Sequence, residues 1–147
     1  MISFIINIKK LIRMLHIDIH SFSYKKGGIP KDETGNGGGF TFDCRGILNP
    51  GRIEEYKSQT GKDIGVQEFL ETKTEMPKFI ELVKNIISIN IDNYLERGFE
   101  NLQISFGCTG GQHRSVYSAE KIAEFILQQY PIGIEIKLTH DEQPQLN

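Results

Sequence analysis

Apolar and polar residues alternate along four short stretches of the chain, and this pattern predicts four β-strands. Residues 15–22 (LHIDIHSF) alternate as in a strand with one buried face, and residues 40–44 (FTFDC) form a second short strand. Residues 102–106 (LQISF) are the third candidate and residues 132–138 (IGIEIKL) the fourth. The glycine-rich residues 25–39 between the first two strands predict a surface loop.

Other apolar residues recur at the spacing of helices. Residues 65–70 predict a short helix, and a longer helix begins near Pro77, which suits a first helical turn, and ends at Gly98. A third helix is predicted from Val116 to about Tyr130. This order favours the α/β class: a single domain with a mainly parallel central sheet of about four strands, flanked by helices. The functional crevice of such a sheet lies at the carboxyl ends of its strands.

Length and composition restrict the class of protein. The 147 residues suffice for one domain, and no apolar run approaches the roughly 20 residues that a membrane span needs. We therefore expect a soluble protein with no membrane partner. The formal net charge of −2 provides no overall basic field for a polyanion. The two cysteines are too few for a disulfide scaffold and lack metal-ligand spacing, so we expect a cytoplasmic protein without a metal or cofactor.

Three segments follow from these patterns. Residues 1–13 are expected to be an N-terminal extension, residues 14–140 the folded domain, and residues 141–147 a polar tail. The extension is apolar and cationic, but it is short for a signal peptide and no small-residue cleavage site follows it.

The sequence GCTGGQHRS, at residues 107–115, lies between the third strand and the third helix. Its glycines allow successive backbone N–H groups to turn toward one point, where the helix N-terminus adds a partial positive charge. Arg114 offers a planar guanidinium for two phosphate oxygens, Thr109 and Ser115 offer hydroxyl donors, and His113 is a candidate positive charge near neutral pH. These features predict a phosphate site. The plainer alternative is a tight turn in which Arg114 pairs with a surface carboxylate.

A second alternative is catalytic. Cys108, five intervening residues, Arg114 and Ser115 have the spacing of the loop in cysteine-dependent phosphatases, where a thiolate attacks phosphorus. Gly107 stands where a histidine is common in that class, and a general acid is not evident, with Asp43 or Asp18 as candidates. The plainer reading of Cys108 is a small residue tolerated at a crowded turn. The sequence thus leaves enzymatic activity open and favours a site without catalysis.

Three motifs in the same order resemble the C-terminal domain of the RapZ family, the RNase adapter proteins formerly grouped as P-loop ATPases. GCTGGQHRS is followed by VYSAE, residues 21–25 (SFSYK) with residues 28–30 (GIP) resemble the family's SFGFKYGxP, and residues 42–50 (FDCRGILNP) resemble its FDVRFLPNP. The similarity extends from about residue 15 to residue 138. Family members usually carry an N-terminal nucleotide-binding domain with a G-x-x-x-x-G-K-[ST] loop, so this chain is expected to be the C-terminal domain alone.

This resemblance implies a fold similar to a phosphofructokinase subdomain, a site for glucosamine-6-phosphate, and contact with small RNA. Transferred residue by residue, the ligand-binding set is Cys108, Thr109, Gly110, Gly111, His113, Arg114, Asp43, Arg45 and Asn49, and Ser115 joins it as a hydroxyl donor. For Asp43 and Arg45 the plainer alternative is a local salt bridge that steadies a turn.

The chain also departs from the family pattern. Gly51 and Arg52 follow the Asn-Pro pair where histidine and often an aromatic residue are expected, and an acidic segment at residues 140–144 replaces a basic tail. The acidic segment disfavours RNA, because lysine and arginine supply much of the affinity for nucleic acid. The sequence therefore predicts a regulatory module that senses a phosphorylated metabolite such as glucosamine-6-phosphate, with RNA or a protein as its partner; the alternative is a cysteine-dependent phosphatase.

Overall fold

A four-stranded parallel sheet forms the centre of the molecule. The computed structural model describes residues 1–2 and 13–147, so the expected N-terminal extension lies almost wholly outside the described residues. The strands are β1 (Leu15–Ser23), β2 (Gly39–Asp43), β3 (Asn101–Cys108) and β4 (Ile134–His140). They lie in the order β2-β3-β1-β4, and every neighbouring pair is parallel. The predicted α/β fold class is confirmed.

Three α-helices connect the strands: α1 (Ile64–Lys73), α2 (Met76–Arg97) and α3 (Arg114–Gln129). The longest, α2, has Pro77 in its first turn and ends at Gly98, which takes the left-handed conformation with φ of 72°. Gly98 and the next residue donate their N–H groups back to carbonyls of the last helical turn. The proline and the glycine thus begin and end this helix as the sequence predicts.

The core lies between the helices and one face of the sheet. Alternate residues of the two central strands are fully or almost fully buried there. They are Leu15, Ile17 and Ile19 of β1 and Leu102, Ile104 and Phe106 of β3, and they pack with Ile87 and Ile91 of α2 and Ile122 and Ile126 of α3. Each such side chain contributes about 1.5–3 kcal/mol to the free energy of folding.

The opposite face of the sheet is mainly polar. It carries the intervening residues of β1 and of β3, and a loop covers part of it, since Gln103 Nε2 donates to the Pro30 carbonyl at 2.9 Å. The polar residues His16, Asp18 and His20 of β1 lie on this face, whereas Phe22 is apolar and fully buried there, so the alternation of the sequence holds only as far as His20.

The parallel register brings three loops to one edge. Ser23 at the end of β1 is paired with Cys108 at the end of β3, and the last residue of β2, Asp43, is paired with Gly107. Backbone hydrogen bonds from Tyr24 N to the Cys108 carbonyl (3.0 Å) and from Cys44 N to the Gly107 carbonyl (2.7 Å) continue the pairing into the loops. The loops that follow β1, β2 and β3 therefore begin side by side.

The segment before α1 lies directly against the start of α3. Gly61 N donates to the Gln112 carbonyl at 3.0 Å, and a Cβ atom at position 61 would overlap the backbone of His113 and Tyr117. Gly61 is required by this close approach.

We expect Gly61→Ala to lower the free energy of unfolding by about 1–3 kcal/mol, because two backbone segments must separate to admit the methyl group. Urea denaturation measures the change. Gly46→Ala is the matched control, since nothing lies within 4 Å of its Cβ position and its φ is not left-handed. Equal effects of the two substitutions would contradict the close approach.

Candidate functional site

The backbone between β3 and α3 carries a run of uncommitted N–H groups. Among the described residues, none of the backbone N–H groups of residues 109–113 donates a hydrogen bond. The first bond of the following turn runs from Tyr117 N to the His113 carbonyl at 2.9 Å, so the N–H groups of residues 114–116 also have no helical acceptor. These donors lie at the N-terminus of a 16-residue helix, where the helix dipole favours negative charge.

The two adjacent glycines of this loop serve different purposes. Gly111 has φ of 69°, a left-handed conformation that turns the chain toward the helix. At Gly110, nothing lies within 4 Å of the position a Cβ atom would take. A ligand can therefore approach the main chain at Gly110.

Arg114, the first residue of α3, has a buried side chain. Its side chain is 4% exposed, and Nη1 donates to the carbonyls of Ile47 (2.7 Å) and Arg45 (3.2 Å). Its Nε is buried and has no partner among the described residues. The alternative of a surface pair with a carboxylate is wrong, because the guanidinium is buried and connects α3 to the loop after β2.

Asp43 and Arg45 form the local salt bridge that the sequence left as the plainer alternative. Arg45 donates from Nε to Asp43 Oδ1 at 2.9 Å and from Nη2 to Oδ2 at 2.8 Å, and its guanidinium lies over the Tyr24 ring at 3.8 Å. These hydrogen bonds hold the pKa of the Asp43 carboxyl below its usual range. Both side chains are about half exposed, so they form a rim beside the loop.

His113 and Asn49 face each other across Gly51. Asn49 Oδ1 accepts from Gly51 N at 2.9 Å and caps a short 3₁₀ turn. His113 is 7% exposed, and its Nε2 donates to the Tyr56 carbonyl at 2.8 Å. Burial lowers the pKa of His113 below its ordinary value, against the opposing effect of that carbonyl. Burial therefore disfavours the positive charge that the sequence suggested for His113, and its Nε2–H group anchors the loop to the Tyr56 carbonyl.

Both thiols are covered by α3. Cys108 is 2% exposed with Sγ 3.1 Å from Ser115 Oγ, and Cys44 is fully buried with Sγ 3.6 Å from Ser118 Oγ. Burial raises the pKa of the Cys44 thiol to about 12. The Ser115 hydroxyl is thus directed at a thiol in the core, whereas Thr109 remains at the loop surface, where its carbonyl accepts from Ser23 Oγ at 2.5 Å.

The loop lies at the carboxyl edge of the sheet, outside three cavities of the surface. Three cavities of about 350, 530 and 600 Å³ open elsewhere on the surface, and none of the three is lined by residues 109–113. Within residues 1–2 and 13–147, no group of three or more His, Cys, Asp or Glu side chains is placed to hold a metal ion. No helix of that part of the chain is long and apolar enough to cross a membrane.

Comparison with known proteins identifies the family. The family model of the RapZ C-terminal domain matches residues 15–144. The chain belongs to the RapZ C-terminal domain family. The resemblance drawn from the three sequence motifs is confirmed.

Relatives of this RapZ C-terminal domain are named nucleotide-binding proteins. Those of Thermosipho africanus and Endomicrobium trichonymphae are 37% and 35% identical to it over 127 and 126 residues, or 86% of this chain in both cases. One from a Ruegeria species is 34% identical over 132 residues. The aligned parts cover 42%, 41% and 41% of these relatives, so the chain spans about two fifths of the length of the proteins it matches.

Two residues at the site were missed by sequence reasoning. Gln112 Nε2 donates to the carbonyls of Lys57 and Gln59, both at 2.8 Å, and holds the loop against the segment before α1. Glu142, in the expected polar tail, packs its side chain against Gly111 and accepts from Gly27 N at 3.0 Å. Glu142 is far in sequence from both glycines, so no local pattern indicated either contact.

We expect Arg114→Ala to lower the free energy of unfolding by about 3 kcal/mol, because two hydrogen bonds from a charged donor to buried carbonyls are lost. Arg45→Ala is the matched control, and we expect a clearly smaller loss, since its ion pair is half exposed. Chemical denaturation of both variants measures the difference. A larger loss for Arg45→Ala would contradict the anchoring role of Arg114.

Proposed function

We propose that this domain is a regulatory module that binds a phosphorylated metabolite at residues 109–116 and passes that state to a partner. The single observation that carries the proposal is the run of backbone N–H groups without acceptors at the N-terminus of α3. A phosphate group accepts several hydrogen bonds at once, and a charged acceptor makes each of them stronger than a neutral one. Helix N-termini that follow glycine-rich turns are established anion sites.

The neighbouring groups support a small phosphorylated ligand. The buried guanidinium of Arg114 adds positive charge near the N-terminus of α3, and Gly110 leaves the main chain accessible. The Asp43 carboxylate and Arg45 lie at the rim, where they are placed to meet hydroxyl or amino groups of a sugar. We propose an aminosugar phosphate such as glucosamine-6-phosphate as the ligand, on the strength of the family resemblance, and a cytoplasmic site of action.

A nucleotide is the alternative ligand with the same chemistry. The relatives carry the name nucleotide-binding protein, and a nucleotide presents the same phosphate oxygens to such a loop. The chain spans only part of those relatives, so the name is a reason to include a nucleotide in the binding test.

For the partner, we favour a protein over RNA. The net charge is −2, and the acidic Glu142 packs beside the loop. RNA binding depends on lysine and arginine that neutralise phosphates. Lys25 and Lys26 follow β1 directly and are exposed, so they are candidate contacts if RNA does bind near the loop.

The phosphatase alternative is disfavoured by the position of Cys108. A nucleophilic thiolate must reach the phosphorus atom, whereas Cys108 is 2% exposed and contacts Ser115 under the start of α3. We therefore propose binding without hydrolysis.

We expect Gly110→Asp to weaken phosphate binding about tenfold or more, because a carboxylate would stand within a few ångströms of the bound anion. Isothermal titration with inorganic phosphate, glucosamine-6-phosphate and ATP measures the affinities of wild type and variant. Gln129→Glu makes the same charge change at an exposed position in the last turn of α3, at the opposite end of the helix, and we expect it to leave the affinities nearly unchanged. An equal loss of affinity in both variants would show that net charge, and not the position of the new carboxylate, weakens binding, which would contradict the proposed site. Absence of binding in the wild type would reject the proposal.

A further inference from the structure

The outer edge of β4 is open along most of its length. Among the described strands, β4 is the last in the sheet and pairs with β1 alone. Two hydrogen bonds, from Leu15 N to the Gly133 carbonyl (2.8 Å) and from Asp141 N to the Ser21 carbonyl (2.9 Å), show that odd-numbered positions turn their backbone groups toward β1. By the alternation of a strand, the even-numbered positions turn theirs outward.

The final residue closes this edge at one point. His140 N donates to Asn147 Oδ1 at 2.6 Å, and Asn147 Nδ2 donates to the His140 carbonyl at 3.4 Å, so the side-chain amide takes the place of a neighbouring strand there. The outward N–H and C=O groups of Ile134, Ile136 and Leu138 have no such partner among the described residues. An unpaired edge of this kind is a template for another strand.

The side chains of this open edge are self-complementary. Residues 134–138 read IEIKL, so a negative and a positive residue stand symmetrically on either side of Ile136. Glu135 and Lys137 are exposed on the polar face of the sheet, while the apolar residues turn toward α3. Glu135 also contacts His16 Nδ1 at 3.0 Å, but this contact leaves the carboxylate 64% exposed.

We propose that two copies of this chain pair through β4, antiparallel, about a two-fold axis at Ile136. In this register Glu135 of each copy lies opposite Lys137 of the other, and Ile134 lies opposite Leu138. The outward backbone groups of the even-numbered positions then meet as hydrogen-bonded pairs, and the two charged pairs occupy the closer positions without backbone hydrogen bonds. This register therefore gives the outward backbone groups hydrogen-bond partners and places each charged side chain opposite one of the other sign.

Neighbouring registers fail for physical reasons. An axis at Lys137 would place two lysines opposite each other and would pair Ile134 with His140, whose outward groups are taken by Asn147. An axis at Leu138 would require Ile136 to pair with His140, whose outward groups are taken by Asn147. An axis at Ile134 would leave both charges without partners.

The apolar groove beside β4 fits the same partner. A cavity of about 530 Å³ lies between α3 and β4, and it is lined in part by Ala123, Leu127, Ile136 and Leu138. Leu127 is 54% exposed. A two-fold axis perpendicular to the sheet puts the helical layers of both copies on the same side, so the two grooves meet and cover one another.

A single lysine on an edge strand also has a plainer role, which is to prevent pairing. A lysine opposes the pairing of two edge strands when no negative side chain of the second strand lies opposite it. Here Glu135 supplies that charge in the register centred on Ile136, so Lys137 selects a register instead of preventing contact.

Sedimentation of the full 147-residue chain at micromolar concentrations tests the proposal. We expect a species of about twice the monomer mass of 16.7 kDa that dissociates on dilution. Lys137→Glu and Glu135→Lys should each weaken association on the order of tenfold or more, because each places like charges opposite one another at both symmetric positions. The double variant Glu135→Lys/Lys137→Glu should restore association to nearly the wild-type strength.

Matched charge reversals on other elements serve as controls. Lys78→Glu on α2 and Glu75→Lys just before it are exposed and lie beside β2, at the opposite edge of the sheet from β4, and they should leave association unchanged. Circular dichroism checks that every variant is folded, and the recovery in the double variant separates charge pairing from damage to the fold. A monomeric wild type at all concentrations, single reversals without effect, or a double variant that stays monomeric would each overturn the proposal.

Discussion

The parallel pairing of β1 with β3 is the constraint on which the site depends. It places the ends of two central strands side by side at Ser23 and Cys108, and the chain must then turn from strand into helix within five residues. A turn this short leaves its N–H groups without acceptors, because neither the strand ladder nor the helix reaches them. The donors are thus a direct consequence of how β3 connects to α3.

The side chains around this turn mainly hold it in place. Arg114 is bonded to carbonyls after β2, His113 to the carbonyl of Tyr56, and Gln112 to two carbonyls before α1. Asp43 is paired with Arg45, and burial disfavours a positive charge on His113, whereas the guanidinium of Arg114 is bonded to neutral carbonyls. A bound anion would therefore be stabilised by Arg114 together with oriented main-chain dipoles, which need a rigid frame because they cannot reorient. The glycine motif of this turn is one of the three motifs on which the family resemblance rests, and it lies within the residues that the family model matches.

The local patterns of the sequence predicted most of the fold. Strand alternation, Pro77 and Gly98 marked the ends of elements, and the glycine motif marked the loop between β3 and α3. The role of each site residue was harder to predict, because a sequence pattern does not report burial: His113 is buried and Ser115 faces a core thiol. Contacts of the tail, such as Asn147 with the edge of β4, depend on where the finished sheet ends and have no signal in the sequence nearby.

The most direct measurement of the central claim is an amide ¹⁵N–¹H titration of the protein with inorganic phosphate, using chloride at equal ionic strength as the reference. The account predicts saturable shifts concentrated in residues 109–116, with little change at the exposed lysines of the loop after β1. Shifts confined to those lysines, or no saturable shift in the turn before α3, would contradict it.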